Sequence, residues 1–181
     1  FLIWCYFLSY LDRVNIGFAA LTMNKDIGLS ATAFGVGASI FFICYFLFEV
    51  PSNLLLQRIG ARKTIMRITI GWGLTSIATM FVQTPAMFYA LRFLLGVFEA
   101  GFYPGIILYL TFWFPSHTRA KMTALFYTAV PLSGMLGAPL SGWIMESMHH
   151  FHGVAGWQWV FLIEGLPSLV LGLAIPKLLQ D

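Results

Sequence analysis

Charge is what this sequence has least of. Asp, Glu, Lys and Arg make up 9% of its 181 residues, against roughly 25% in soluble domains. That deficit, with apolar runs of about twenty residues or more, excludes a soluble domain and puts the chain in a bilayer. Cysteine is nearly absent as well. Cys5 and Cys44 both lie in apolar runs, where isolated cysteines pack, so no disulfide framework is expected. A Gly-rich nucleotide loop, a nucleophile–base pair and a zinc motif are all missing, so no enzyme is expected. The run His149-His-Phe-His152 has no cysteine or carboxylate to complete a metal set, and it reads as a solvated outer loop. The net charge of +3 is no nucleic-acid signal, because the basic residues fall into short loops. No basic stretch precedes the first apolar run and no small-residue cleavage site ends it, so no cleavable signal is expected.

What is present is a series of six apolar runs, at 1–22, 31–56, 64–82, 86–114, 122–147 and 157–175. Each approaches or exceeds the roughly 20 residues that a helix needs to cross a bilayer. Phe1 opens inside one run and Asp181 closes just past another, so the chain reads as a piece that lacks the start of its first helix and whatever follows. The connections alternate in character. Arg58, Arg62, Lys63, Arg67, Arg119, Lys121 and Lys177 fall on one side, and only Lys25 on the other. The positive-inside rule places the basic loops, and with them both ends of the chain, in the cytoplasm.

Four of the charges within the runs read as standing deep in the membrane. Arg92 and Glu99 lie seven residues apart in the fourth, which returns them to nearly one helix face, and such a pair must point at protein or water. The first run carries Asp12 and Arg13, with Ser9 and Asn15 on the face of Asp12. Neighbours in sequence point about 100° apart, so Asp12 and Arg13 need not pair with each other. One role for these charges is structural glue; the other is a pathway for ions or substrate. Their chemistry suits the second. Arginine grips a carboxylate with a planar fork, and a carboxylic acid in a dry pocket can take and release a proton near neutral pH. Those are the parts of a proton-coupled organic-anion carrier. Tyr45, inside the second run, either packs or offers its hydroxyl to substrate. Glu146 and Glu164 read as helix-end charges that meet headgroups or water. Pro51, Pro104, Pro131, Pro139 and Pro167 are either hinges or prolines that membrane helices simply tolerate.

These stretches resemble a known family. Leu11-Asp-Arg-Val-Asn15, Phe48-Glu-Val-Pro-Ser-Asn-Leu-Leu-Leu56, Arg92-Phe-Leu-Leu-Gly-Val-Phe-Glu-Ala-Gly-Phe-Tyr-Pro-Gly105, Leu108-Tyr-Leu-Thr-Phe-Trp-Phe-Pro115 and Gly156-Trp-Gln-Trp-Val-Phe-Leu-Ile-Glu-Gly165 resemble the N-terminal half of a major facilitator superfamily transporter, of the anion:cation symporter family. The loop Gln57-Arg-Ile-Gly-Ala-Arg-Lys63 keeps Arg58, Gly60, Arg62 and Lys63 of the superfamily pattern, but Gln57 replaces its acid and Ala61 an arginine. Gly134, Gly137, Pro139 and Gly142 approximate the fifth-helix pattern, with Ala138 inserted.

The resemblance implies an all-α membrane protein: a six-transmembrane-helix bundle over residues 1–181, built as two inverted three-helix repeats, with a second six-helix half supplied by the rest of the chain. It implies secondary active, proton-coupled symport of small organic anions, such as sugar acids or other carboxylates, by alternating access. Arg13, Tyr45 and Arg92 would bind substrate. Asp12 and Glu99 would carry protons, with no other cofactor. Gly134, Gly137, Pro139 and Gly142 would form the bendable seam against the other half. The location implied is the bacterial inner membrane. The alternatives are a carrier of another substrate class, either sugar or drug/proton antiport, and a non-transporting fragment.

Overall fold

The computed structural model describes residues 1–149 and 153–179. His150, Phe151 and His152 of the histidine run therefore lie outside the described residues. Hydrocarbon offers no water to backbone N–H and C=O groups, so a chain this apolar must pair them within each segment. The described residues form eight helices and no strand: α1 (Leu2–Asp26), α2 (Ala31–Ile59), α3 (Ala61–Thr79), α4 (Pro85–Glu99), α5 (Phe102–Trp113), α6 (Ser116–Tyr127), α7 (Ala129–Ser147) and α8 (Gly156–Leu178). Four stretches are long and apolar enough to cross a membrane: Ala31–Ile59, Pro85–Trp113, Ser116–Ser147 and Gly156–Leu178. α1 and α3 carry the polar residues that keep them off that count, Asp12 and Arg13 in one and Arg62, Lys63 and Arg67 in the other.

Two runs expected as unbroken helices are interrupted, and proline explains both breaks. A helical proline lacks the N–H and crowds the carbonyl four residues back. Pro104 acts on Ala100, where α4 ends, and Gly101 takes the left-handed conformation at φ 81° to restart the chain as α5. Pro131 acts on Tyr127, the last residue of α6, before α7 begins. Pro51, Pro139 and Pro167 lie inside helices that continue past them. Arg119 ties the end of α5, donating from Nη2 to the carbonyls of Thr111 and Phe114 at 3.4 and 3.3 Å.

The expected basic loop at 57–63 shrinks to one residue. Gly60, at φ 89°, separates α2 from α3, and its N–H donates to Leu56. Arg58 therefore sits in the last turn of α2, and Arg62 and Lys63 in the first turn of α3. Arg58 and Lys63 are exposed and Arg62 is half-buried.

Small residues bring the helices close, as membrane packing requires. A Cβ on Gly96 of α4 would lie 2.6 Å from the Phe41 carbonyl oxygen of α2. On the other side of the bundle, α3 and α8 pack through Gly73, Gly165 and Gly172, where added Cβ atoms would come within 3.0–3.2 Å of backbone nitrogens on the facing helix. Gly137 of α7 sits against Leu11, Val14 and Asn15 of α1, whereas Gly134 and Gly142 face open space. Pro139 is exposed.

Two apolar clusters result. One gathers Cys5, Tyr6, Ile65, Ile68, Trp72, Phe102 and Ile106. The other gathers Ala19, Met23, Val82, Phe88, Trp157 and Phe161. Between them, along α1, lies a polar layer. α2 turns most of its surface outward: Phe42, Ile43, Phe46, Leu47, Val50 and Leu54 are all exposed.

Candidate functional site

α1 is the hub. Ser9, Asp12 and Asn15 follow one another at three-residue steps, and all are buried. Each binds a different helix. The Ser9 hydroxyl donates to Glu99 Oε1 on α4. Asp12 Oδ1 accepts from Ser76 Oγ on α3 at 3.0 Å. Asn15 Oδ1 accepts from Ser141 Oγ on α7. A stripe of short polar side chains on an apolar helix thus fixes its rotation against three neighbours, because each buried polar group must find a partner.

Arg13 points away from Asp12, toward α4. Its Nε donates to Glu99 Oε1 at 3.0 Å in an ion pair whose carboxylate end is 3% exposed and whose guanidinium end is 23% exposed. Asp12 and Arg13, which need not pair as neighbours on a helix, bond to different helices. Glu99 is gripped across helices by Arg13 of α1, with Arg92 a second, longer-range charge beside it. Aromatic faces surround the Arg13 guanidinium, with ring centroids of Tyr45 at 4.8 Å, Tyr10 at 5.0 Å and Phe41 at 5.5 Å. Such faces hold a cation while leaving its N–H edge free to bond.

Arg92 is buried over the Phe88 ring at 5.5 Å. No hydrogen bond holds it among the described residues; Asp12 and Glu99 balance its charge at longer range. Arg13 and Arg92 line one cleft of about 50 Å³ with Ile16, Ala38, Phe41 and Phe42. A cavity needs about 10–15 Å³ of such space to hold a water, so this cleft has room for a small polar group between the two guanidinium groups. Larger cavities lie elsewhere, among them an apolar one of about 330 Å³ between Leu56, Ala61, Tyr109 and Trp113.

Glu164 corrects the sequence reading. It does not meet headgroups at a helix end. It is the ninth of the 23 residues of α8, is 3% exposed, and leaves both carboxyl oxygens without a hydrogen-bond partner among the described residues. It interacts with Asp12 and with the Ser141 hydroxyl. The signal that could have found it is Ser168 one turn later, also fully buried, which continues a polar stripe along α8. Ser76 and Ser141 were missed as well, because serine in a membrane helix carries no mark of which neighbour it serves. Glu146, by contrast, is exposed near the end of α7. Among the described residues no group of three His, Cys, Asp or Glu could hold a metal ion.

Comparison with known proteins follows this geometry. The family model described as Major Facilitator Superfamily matches residues 2–181. A protein of Agrobacterium vitis named "Putative tartrate transporter" is 61% identical over 181 residues, covering all of this chain and 42% of that protein. One of Pseudomonas putida named "Putative metabolite transport protein NicT" is 53% identical, covering all of this chain and 42% of that protein. The chain thus spans about two fifths of the length of these relatives. Among solved structures, a bacterial homolog of the human lysosomal transporter Spinster, in an inward-facing unoccupied conformation, superposes with a TM-score of 0.87 at 20% identity, over 99% of this chain and 42% of that one.

Proposed function

The chain belongs to the Major Facilitator Superfamily, a family of multi-pass membrane transporters, and from that premise we propose that it forms the N-terminal six-helix half, two inverted three-helix repeats, of a proton-coupled symporter for small organic anions. The names of its relatives, a tartrate and a metabolite transporter, support a carboxylate substrate. One observation carries the mechanism: Arg13 and Arg92 line a single cleft, while a buried acid, Glu99, holds one of them.

With Glu99 ionised, the Arg13 fork is occupied. A proton on Glu99 converts that charge-assisted bond to a weaker one and releases the guanidinium into the cleft. There it joins Arg92 to grip a substrate carboxylate. Tyr45, stacked on Arg13, keeps the fork in place and presents a hydroxyl to the anion. Asp12 lies behind, bonded to Ser76, and carries the second proton. Loading of protons and of anion is therefore mutual: each makes the other less costly in a low-dielectric site. A second half of the transporter supplies the opposite wall of the pocket, which the small cleft of about 50 Å³ on this half leaves open. Rocking of the two halves then exposes the site to the cytoplasm, where the acids deprotonate. Gly134, Pro139 and Gly142, on the open face of α7, serve as the seam against that second half. The basic residues Arg58, Arg62, Lys63 and Arg67 face the cytoplasm, in a bacterial inner membrane.

The test is uptake by the full-length carrier in proteoliposomes under an imposed pH gradient, with tartrate, sugar acids, aromatic acids, neutral sugars and a cationic drug as arms. Acid-driven accumulation of carboxylates alone is expected. Accumulation of neutral sugars or proton-driven drug expulsion would replace the assignment with another substrate class.

A further inference from the structure

The transport scheme uses Asp12 and Glu99 but leaves Glu164 without a task, although it is as deeply buried as either. Its surroundings are specific. α8 packs on α3 through Gly73, Gly165 and Gly172, which presses Glu164 into the junction of α1, α3, α7 and α8. Of the groups these helices bring to it, Asp12 of α1 is the ionisable one that acts on it and Ser141 of α7 the polar one. Arg62, Lys63 and Arg67 lie at the other end of α3, ten or more residues from Ile77, which meets Gly165; at 1.5 Å per residue that is about 15 Å away or more. Asp26 is engaged by the Trp157 indole at the end of α1, and Glu146 is exposed. Among the described residues no cation neutralises Glu164, in contrast to Glu99.

The hydrogen-bonding capacity around it is also one-sided. The Ser141 hydroxyl has one proton, directed at Asn15 Oδ1 and the Gly137 carbonyl. In this geometry the Ser141 proton is therefore spent on those two acceptors, and its oxygen offers Glu164 a lone pair that a protonated carboxyl can use. Asp12 Oδ2 is likewise buried with no donor among the described residues. Two acids thus share a buried polar junction in which Ser76 donates to Asp12 and the Trp72 indole also acts on it, while Arg92 reaches Asp12 at longer range and does not act on Glu164.

We propose that Glu164 is a third proton-carrying residue, paired with Asp12 behind α1, and that the two acids share one negative charge at most. When Asp12 gives up its proton, Glu164 keeps its own; Glu164 loses its proton only if Asp12 has regained one. Glu164 never touches the transported anion. It sets when Asp12 can ionise. Its part in transport rests on the proton-coupled reading above, but the pairing itself does not.

The test reads the acid directly, so its failure differs from failure of the transport scheme. The full-length carrier in lipid is titrated in an infrared cell as wild type, Glu164→Gln, Asp12→Asn and Glu164→Asp. A protonated-acid carbonyl band present in the wild type, lost in Glu164→Gln and moved in Glu164→Asp belongs to Glu164. Expected is that this band persists at neutral pH and that Asp12→Asn displaces its titration to lower pH by about one unit or more, as for a coupled pair. No such band at neutral pH, or a titration unchanged by Asp12→Asn, overturns the proposal. Should Glu164→Gln fail to fold, the moved band of Glu164→Asp makes the same assignment. These outcomes stand whether or not the wild type accumulates anions.

Discussion

The two sides of α1 solve one problem in opposite ways. On the front, Glu99 accepts from Ser9 and Arg13, and the guanidinium is sandwiched by aromatic rings at the edge of a cleft. On the back, Asp12 has one hydroxyl donor, and Glu164 leaves both oxygens unbonded among the described residues. A buried charge is tolerable when paired and hydrogen-bonded, and otherwise costs so much that the group neutralises. On the proposed scheme the front acid is coupled to the anion that competes for Arg13. On the same proposal the back acids are coupled to each other. All three carboxyls are buried, so what separates the proposed roles is the company each one keeps.

The largest effect that sharpens this contrast is expected at Glu99. Glu99→Gln should abolish accumulation driven by a proton gradient while preserving exchange of labelled for unlabelled anion across vesicles. Proton-dependent accumulation by that variant would end the assignment of Glu99 as a coupling acid. Arg92→Ala comes next. Losing a charge-assisted bond of about 1.5–3 kcal/mol should weaken anion binding by roughly 10- to 150-fold, read by calorimetry on the full-length carrier. An unchanged affinity would show that Arg92 balances charge without touching substrate.

Packing gives the third contrast. Gly96→Ala must push against the Phe41 carbonyl and the Cys44 side chain, at a cost of about 1–3 kcal/mol. Gly134→Ala, with open space around it, should be near neutral for the fold. Thermal unfolding in detergent checks both, and equal loss in the two variants would contradict the α2–α4 contact. The smallest effect is expected at Tyr45. Tyr45→Phe keeps the ring over Arg13 but removes the hydroxyl, worth about 0.5–1.5 kcal/mol, so half-saturation for uptake should rise by roughly 2- to 13-fold without loss of coupling. Loss of coupling would make Tyr45 part of the proton path.

Much of this was legible in the residues. Long apolar runs forced helices, and the intramembrane charges Asp12, Arg13, Arg92 and Glu99 identified themselves, because nothing but function or pairing keeps such groups in hydrocarbon. Prolines hid two breaks. The rule that a proline disturbs the carbonyl four residues back locates them at Ala100 and Tyr127, but Pro51, Pro139 and Pro167 obey the same rule inside helices that continue. Whether a proline breaks a membrane helix depends on whether neighbours re-satisfy the freed backbone group, which is tertiary information. Glu164 was misjudged for a related reason: it is the eighth residue of the run 157–175 and the ninth of α8, so boundaries hardly move it, and what buries it is the close packing of α8 on α3 at Gly165, which is tertiary information.

The sequence by itself determined that the chain is helical, membrane-embedded and carries two arginines and two acids on its first and fourth runs, since burial cost and helical period act locally and need no partner. The tertiary structure alone decided who pairs with whom. Arg13 could have met Asp12 beside it; it meets Glu99, 86 residues away, because Ser76 holds Asp12 on the other side of the helix. Side-chain pairing is set by which neighbouring helix each face of α1 meets, and glycine contacts such as Gly96 on α2 and Gly137 on α1 fix those neighbours.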